Sequence, residues 1–140
     1  SRAYDVFREN LVPGTASMKN ALDRWLSEEF RTTGTSARNW QRDSPDGIQS
    51  VLRKAYSLDS RLDLLILVSD FDFQQSKPGG GGRDVAIAEL RRLSKELEDD
   101  MVNDVELQLI AFEPEEGVVR ECRTWAQERD GAFRVVARKK

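Results

Sequence analysis

The sequence predicts an α/β protein, a three-layer sandwich in which helices flank a mostly parallel central sheet. Two observations lead to this prediction. The run from Leu64 to Val68 is apolar at every position, as is typical of a parallel strand covered by helices on both faces. From this run onward, strand and helix patterns alternate in the order β-α-β-α-β. Helical crossovers of this length join parallel strands through right-handed connections.

The first 43 residues are the poorly defined part of the single domain that we predict for residues 1–140. Residues 1–15 carry scattered apolar side chains around a Pro-Gly pair, a pattern that fits an edge strand or an extended arm. A helix is predicted from Ser17 onward, since apolar side chains recur at helical spacing from Met18 to Phe30. Residues 32–43 hold Gly, Thr, Ser and Asn without periodicity and are predicted to form a loop.

Residues 44–137 give a clearer pattern. Ser44-Pro45 starts a helix, because a hydroxyl suits the N-cap and proline suits the first helical position. The apolar strand Leu62–Ser69 follows. Residues 74–82 contain four consecutive glycines and are predicted to be a flexible loop. A phosphate-binding loop is the alternative there, although the Walker pattern is absent.

The rest of the chain predicts two more helices and two more strands. They are a helix over Arg83–Leu97, a strand over Val105–Phe112, a helix from Pro114 to Asp130 and a strand over Ala132–Val136. The strands are expected to be neighbours of Leu62–Ser69 in one sheet. Helical periodicity places Trp25, Trp125 and Cys122 on apolar helix faces, so we expect all three in the core.

Composition excludes several classes of protein. With 39% hydrophobic residues in 140, the chain can bury one core. A formal net charge of −3 with mixed signs gives no field that favours nucleic acid or an anionic membrane. The single cysteine excludes an intrachain disulfide, and the absence of histidine removes the commonest general base and zinc ligand. Without a signal peptide pattern or a membrane span, a cytoplasmic location is favoured.

The order of elements over residues 44–137 resembles a von Willebrand factor A (VWA) domain. In that family an apolar strand ends in an aspartate preceded by Ser or Thr, as in Leu65-Ile66-Leu67-Val68-Ser69-Asp70. The family then has a helix, a strand, a further helix and a terminal strand introduced by a glycine. The segments that resemble the last three elements are Val105–Phe112, Glu115–Arg129 and Gly131–Val136.

The resemblance implies a divalent cation, Mg²⁺, at the end of the aspartate strand. The family's adhesion motif D-x-S-x-S is absent, and the nearest segment, Pro13–Met18, has proline in place of the first aspartate. Mg²⁺ prefers oxygen ligands in octahedral geometry and keeps several waters. The candidate ligands are Asp70, Asp72, Ser44, Thr15 and Ser17.

Asp70 and Asp72 also fit other interpretations. Asp70 can instead cap the next turn by accepting backbone N–H groups, with Asp72 solvated. D-x-D after an apolar strand also resembles haloacid-dehalogenase-type phosphotransferases and NYN/PIN-type nucleases, which use such carboxylates in Mg²⁺-dependent chemistry. An enzyme needs further carboxylates converging on both aspartates, whereas an adhesion-type module needs hydroxyls converging on Asp70.

The function that we predict is therefore a module that binds another protein, rather than an enzyme. The predicted partner-binding residues are Ser69, beside the strand end, and Trp40. Trp40 lies between Arg38 and Arg42, and aromatic and arginine side chains dominate binding hot spots. Packing of Trp40 back over the core is the equal alternative. A scaffold domain with a decayed metal site, binding through Trp40 or the glycine loop, is the third possibility.

Overall fold

The computed structural model describes residues 11–29, 47–76 and 82–137. Within these ranges lie four helices and five strands. In chain order they are α1 Ala16–Glu29, α2 Gly47–Ser57, β1 Leu64–Ser69, β2 Gln74–Ser76, β3 Gly82–Asp84, α3 Ile87–Glu98, β4 Glu106–Phe112, α4 Glu116–Glu128 and β5 Phe133–Val136. Ser44, Trp40 and most of the glycine run lie outside the described residues.

Strands β1, β4 and β5 form one parallel sheet in that order. Leu64 of β1 is aligned with Glu106 of β4, and Leu109 of β4 with Phe133 of β5. β4 is therefore the central strand, bonded on both sides. The predicted α/β class is confirmed, as is the prediction that these three strands are parallel neighbours.

Strands β2 and β3 form an antiparallel hairpin where the sequence predicted a loop leading into a helix from Arg83. Gln74 is aligned with Asp84 and Ser76 with Gly82. The ladder continues at Val85, whose N–H donates to the Phe73 carbonyl at 2.8 Å. The prediction of helix at residues 83–86 is wrong. Val85 and Ile87 are both 5% exposed and enter the core. They are two residues apart, which is the interval at which side chains of an extended chain return to the same face.

The hydrophobic core lies on one face of the sheet. The sheet contributes Leu65, Leu67, Leu107, Leu109 and Ala111, and helices α2, α3 and α4 contribute Leu52, Leu90, Leu93, Cys122 and Trp125. Trp125 and Cys122 are fully buried, as predicted. Burial, assisted by the nearby Glu121 carboxylate, raises the pKa of Cys122 to about 12. The thiol therefore stays protonated and unreactive at neutral pH.

Among the described residues, the other face of the sheet is open. The exposed apolar side chains of this face, each 41–55% exposed, are Leu64, Ile66, Val68, Phe112 and Val136, and Ile110 on the same face is partly buried. None of the described α1 side chains is buried, and Trp25 is half-buried and outside the core cluster, contrary to its predicted core position. Helical spacing predicts which side chains share a face of α1, but it does not predict whether that face is buried. In the described part of the chain, each helix is too short or too polar to span a membrane.

Candidate functional site

A tight turn closes the carboxyl end of β1. The Phe71 N–H donates to Ser69 Oγ at 3.0 Å, and the Asp72 N–H donates to Asp70 Oδ1 at 3.1 Å. The Ser69 hydroxyl donates to the same Asp70 oxygen at 3.3 Å. A carboxylate that accepts an N–H two residues further on makes an Asx-turn. Asp70 thus has the capping role that the sequence offered as one alternative, and this role uses only Oδ1 of its carboxylate.

Phe71 holds this turn in an unusual backbone conformation. Its φ of 61° lies in the left-handed region, which bulky residues rarely adopt. The ring is 2% exposed and packs edge-on against Phe73 at 5.7 Å and against Phe133 at 6.5 Å between ring centroids. Backbone strain of this kind costs about 1–3 kcal/mol and persists only where the surroundings enforce it. Here the buried ring enforces it.

The anchored ring determines where the two carboxylates point. Phe71 and Phe73 are buried, and Asp70 and Asp72, which alternate with them, are both exposed. This confirms the predicted division into a core-facing pair and a solvent-facing pair. Two carboxylates and the Ser69 hydroxyl therefore share one short stretch of surface at the edge of the sheet.

The neighbouring strand ends in a similar way. Glu113, the residue after β4, also has a left-handed φ of 46°, and its N–H donates to the Val136 carbonyl at 3.3 Å. Ser69 of β1 is aligned with Ala111 of β4. Glu113 and the Asp70 turn therefore both follow the carboxyl ends of neighbouring strands, at the same edge of the sheet. The sequence did not suggest a role for Glu113. Its only sequence signal was its place directly after an apolar strand.

Two of the predicted hydroxyl ligands lie at the start of α1. Thr15 Oγ1 accepts the Met18 N–H at 3.2 Å, which is an N-cap bond, and Ser17 is exposed in the first turn. Among the described residues, no hydrogen bond joins either hydroxyl to Asp70. Within those same ranges no three His, Cys, Asp or Glu side chains lie close enough together to hold a metal ion.

A second polar cluster, which sequence reasoning missed, lies near the amino end of β4. Glu98 at the end of α3 forms an ion pair with Arg129, just after α4, and their side chains are 13% and 17% exposed. Burial raises the pKa of the Glu98 carboxyl, although the Arg129 charge and hydrogen bond oppose this. Burial also raises the pKa of Tyr56, and the charge of Glu98 raises it further. The two paired charges lie 31 residues apart in sequence, so no local pattern marks them.

The Glu98–Arg129 ion pair links the end of α3 to the residue that follows α4. It borders a cavity of about 420 Å³ with mostly acidic walls, to which Asp63, Asp104 and Asp130 contribute. Glu98 Oε1, Arg129 Nε and Trp125 Nε1 are buried and have no hydrogen-bond partner among the described residues. Desolvation of such charges offsets much of their attraction, so the pair fixes how α3 meets the end of α4 more than it adds stability.

Comparison of the chain with protein-family models, with curated proteins and with solved structures found no match. Fold and site together define a small α/β domain with a parallel sheet and a hydroxyl-carboxylate turn at its carboxyl edge.

Proposed function

We propose that this protein is a VWA-like domain that binds another protein at the carboxyl edge of its sheet, with Ser69 and Asp70 at the centre of the contact. The Phe71-anchored turn carries this proposal, because it presents a hydroxyl and two carboxylates where open α/β sheets bind their ligands. The parallel order β1-β4-β5 supports the VWA resemblance, since the strand ending in Ser-Asp is followed across the sheet by the two strands that the resemblance implies.

A divalent cation such as Mg²⁺ is the second part of the proposal. The turn uses Asp70 Oδ1, and hydrogen bonds from the described residues leave Asp70 Oδ2 open. A hydroxyl and one or two carboxylates suit Mg²⁺, which keeps several waters and needs few protein ligands. Asp70, Asp72 and Ser69 would hold the ion, with Thr15, Ser17 and Ser44 as further candidate hydroxyls. The ion would polarise an acidic or carbonyl group of the partner.

The turn role and the binding role of Asp70 can be separated by substitution. Asp70→Asn keeps an oxygen that can accept the Asp72 N–H but removes the charge, and Asp99→Asn, on an exposed residue after α3, is the matched control. In an Mg²⁺ titration followed by NMR, we expect the Phe71 and Asp72 amide signals to move in the wild type and the control. In Asp70→Asn they should stay in place.

Partner binding is tested with the same three proteins. Affinity capture followed by mass spectrometry should find a protein held by the wild type and Asp99→Asn and lost by Asp70→Asn. If Asp70→Asn keeps every partner and every Mg²⁺-dependent shift, Asp70 is a turn residue only. Loss of a partner on Trp40→Ala alone would then support the scaffold alternative.

A Mg²⁺-dependent phosphotransferase or nuclease is the alternative function, and the exposure of both Asp70 and Asp72 at the end of β1 favours it. In that case Asp70→Asn and Asp72→Asn would each abolish turnover of a phosphate monoester or of single-stranded nucleic acid. The binding proposal instead expects that the wild type turns over neither substrate. It also expects Asp72→Asn to weaken partner binding less than Asp70→Asn does.

A further inference from the structure

One face of the parallel sheet is apolar and, among the described residues, uncovered. Its exposed apolar side chains, each 41–55% exposed, are Leu64, Ile66, Val68, Phe112 and Val136. Helices α2, α3 and α4 contribute to the core on the opposite face, and α1 makes no extensive contact with the sheet. Contiguous apolar patches are rare on monomeric soluble proteins and mark interaction surfaces.

The same face carries two opposite charges that are too far apart to pair with each other. Glu106 begins β4, and its carboxylate accepts a hydrogen bond from the side-chain amide of Gln108 on the same face. Arg134 of β5 is aligned with Ile110, four residues beyond Glu106. Glu106 and Arg134 therefore lie ~13 Å apart along the sheet. Both residues are exposed, and neither has an ion-pair partner among the described residues.

We propose that a second copy of this chain covers the open face, with the two sheets packed face to face about a twofold axis that lies across the strands. This axis reverses the strand direction, so the amino end of β4 in one copy lies opposite the carboxyl part of the sheet in the other. Glu106 then comes within reach of Arg134 of the partner subunit, about one strand spacing, ~5 Å, to its side. Every contact of a twofold interface occurs twice, so all four charges are paired.

The apolar side chains fit the same arrangement. Ile66 and Val68 lie near the middle of the face, so they meet the same two side chains of the other copy, and sheets packed in this way interdigitate ~10 Å apart. The face is ~23 Å long for the seven residues of β4 and ~15 Å wide for three strands with their side chains. Two such faces bury less than a standard protein interface, so the dimer is weak and reversible.

Reversal of the strands places the two Ser69–Asp70 turns at opposite ends of the dimer. A dimer that binds partners through these turns would bridge two partner molecules. This consequence rests on the proposed function, whereas the dimer itself rests only on the open face and its charges.

Charge reversal tests the pairing of Glu106 with Arg134. Glu106→Arg alone and Arg134→Glu alone each set like charges against each other and should weaken dimerisation about tenfold or more. An equimolar mixture of the two variants should form a heterodimer about as strong as the wild-type dimer, because one contact pairs the two substituted side chains and the other pairs the two native ones. Glu96→Arg, at an exposed residue of α3, is the matched control and should dimerise as the wild type does.

Ile66→Lys tests the apolar part of the contact. It should weaken dimerisation at least about tenfold, because it buries an unpaired charge between the two sheets. Val102→Lys, at a residue 72% exposed outside the face, is its control and should change the dissociation constant less than about twofold. Sedimentation equilibrium from micromolar to millimolar protein measures the dissociation constant, and circular dichroism checks that each variant is folded.

Three results would overturn the proposal. The first is a wild type that stays monomeric at millimolar concentration. The second is a dimer that Ile66→Lys or the single charge reversals leave as strong as the wild type, which would mean that another surface holds it. The third is a mixture of Glu106→Arg and Arg134→Glu that associates no more tightly than either variant alone, which would mean that the sheets do not meet in this direction.

Discussion

Within the described ranges, three non-glycine residues have left-handed backbones, and each follows a regular element: Phe71 after β1, Glu113 after β4 and Asp130 after α4. At Asp130 the reason is a Schellman motif. The Gly131 N–H donates to the Ala126 carbonyl at 2.9 Å and the Asp130 N–H to the Gln127 carbonyl at 3.3 Å. The glycine beside it is required for a different reason, which is the close approach of β4.

Gly131 and Gly117 form a matched pair for testing this close approach. A Cβ on Gly131 would lie 1.7 Å from the Leu107 carbonyl oxygen, whereas a Cβ on Gly117, in the first turn of α4, would meet nothing within 4 Å. We expect Gly131→Ala to lower the free energy of unfolding by about 3 kcal/mol or more. Gly117→Ala should raise it by about 0.5–1 kcal/mol, because alanine favours the helix.

Urea denaturation of the two alanine variants beside the wild type measures both effects. Equal midpoints for Gly131→Ala and the wild type would mean that the strand β4 and the residues before β5 do not approach each other in solution as the structure describes.

At the scale of elements, two kinds of ion pair join α3 to α4 and the residues after it. Arg91 pairs with Glu121 at 3.2 Å and with Glu128, and these side chains are 26–46% exposed. Exposed pairs of this kind contribute little to stability. Glu98 and Arg129 pair in a more buried setting. The pKa values of the two carboxyls are shifted in opposite directions. The Arg91 hydrogen bond lowers the pKa of Glu128, and burial raises the pKa of Glu98.

These opposite pKa shifts predict opposite effects of pH. The folded state raises the pKa of Glu98 above its ordinary 4.5. The stability that Glu98 contributes is therefore fully present below about pH 4.5 and is lost as pH rises through the folded-state pKa. The folded state lowers the pKa of Glu128. The stability that Glu128 contributes is therefore present above its ordinary pKa and is lost as pH falls through the folded-state pKa.

The measurement is urea denaturation of the wild type, Glu98→Gln and Glu128→Gln between about pH 3 and about pH 7. As pH rises, stability relative to the wild type should increase for Glu98→Gln and decrease for Glu128→Gln. The informative quantity is the change in relative stability with pH and not the absolute stability, because Glu98→Gln also leaves Arg129 without its charged partner. Slopes of the same sign for both variants would contradict the assignment of burial to Glu98.

At the scale of the whole molecule, the sequence predicted the sheet well and its surroundings poorly. Apolar strand patterns and helical crossovers sufficed to identify β1, β4 and β5 as parallel neighbours. The hairpin of β2 and β3 has polar sequences, Gln-Gln-Ser and Gly-Arg-Asp, with no apolar alternation to mark them as strands. Its pairing depends on Phe73 and Val85, which enter the core from outside the two strands.

The candidate site could be predicted in position but not in geometry. The apolar run ending in Ser69-Asp70 predicted the carboxyl edge of the sheet, and the alternation predicted that Phe71 and Phe73 are buried while Asp70 and Asp72 are exposed. The left-handed backbone of Phe71 carries no sequence signal, because glycine or asparagine is the usual residue there. It results from burial of the ring against Phe73 and Phe133, and Phe133 lies 62 residues along the chain.

Trp125 is a large, fully buried side chain of the core. It is fully buried in the cluster that joins α2, α3, α4 and the sheet. Trp125→Ala should lower the free energy of unfolding by roughly 3–5 kcal/mol through the cavity it leaves, a large part of the ~5–15 kcal/mol of a typical domain. Trp125→Phe should cost less, because it keeps a ring and removes a buried N–H that has no partner in the described part of the chain.

Equilibrium urea denaturation of both variants, with Gln127→Ala on an exposed position of the same helix as control, checks this expectation. The control should stay within about 0.5 kcal/mol of the wild type. A loss below about 1 kcal/mol for Trp125→Ala would mean that the indole is not enclosed in solution. The core would then lack the side chain by which α4 packs against α2, α3 and the sheet, and Trp125 would have to be considered as a binding residue instead.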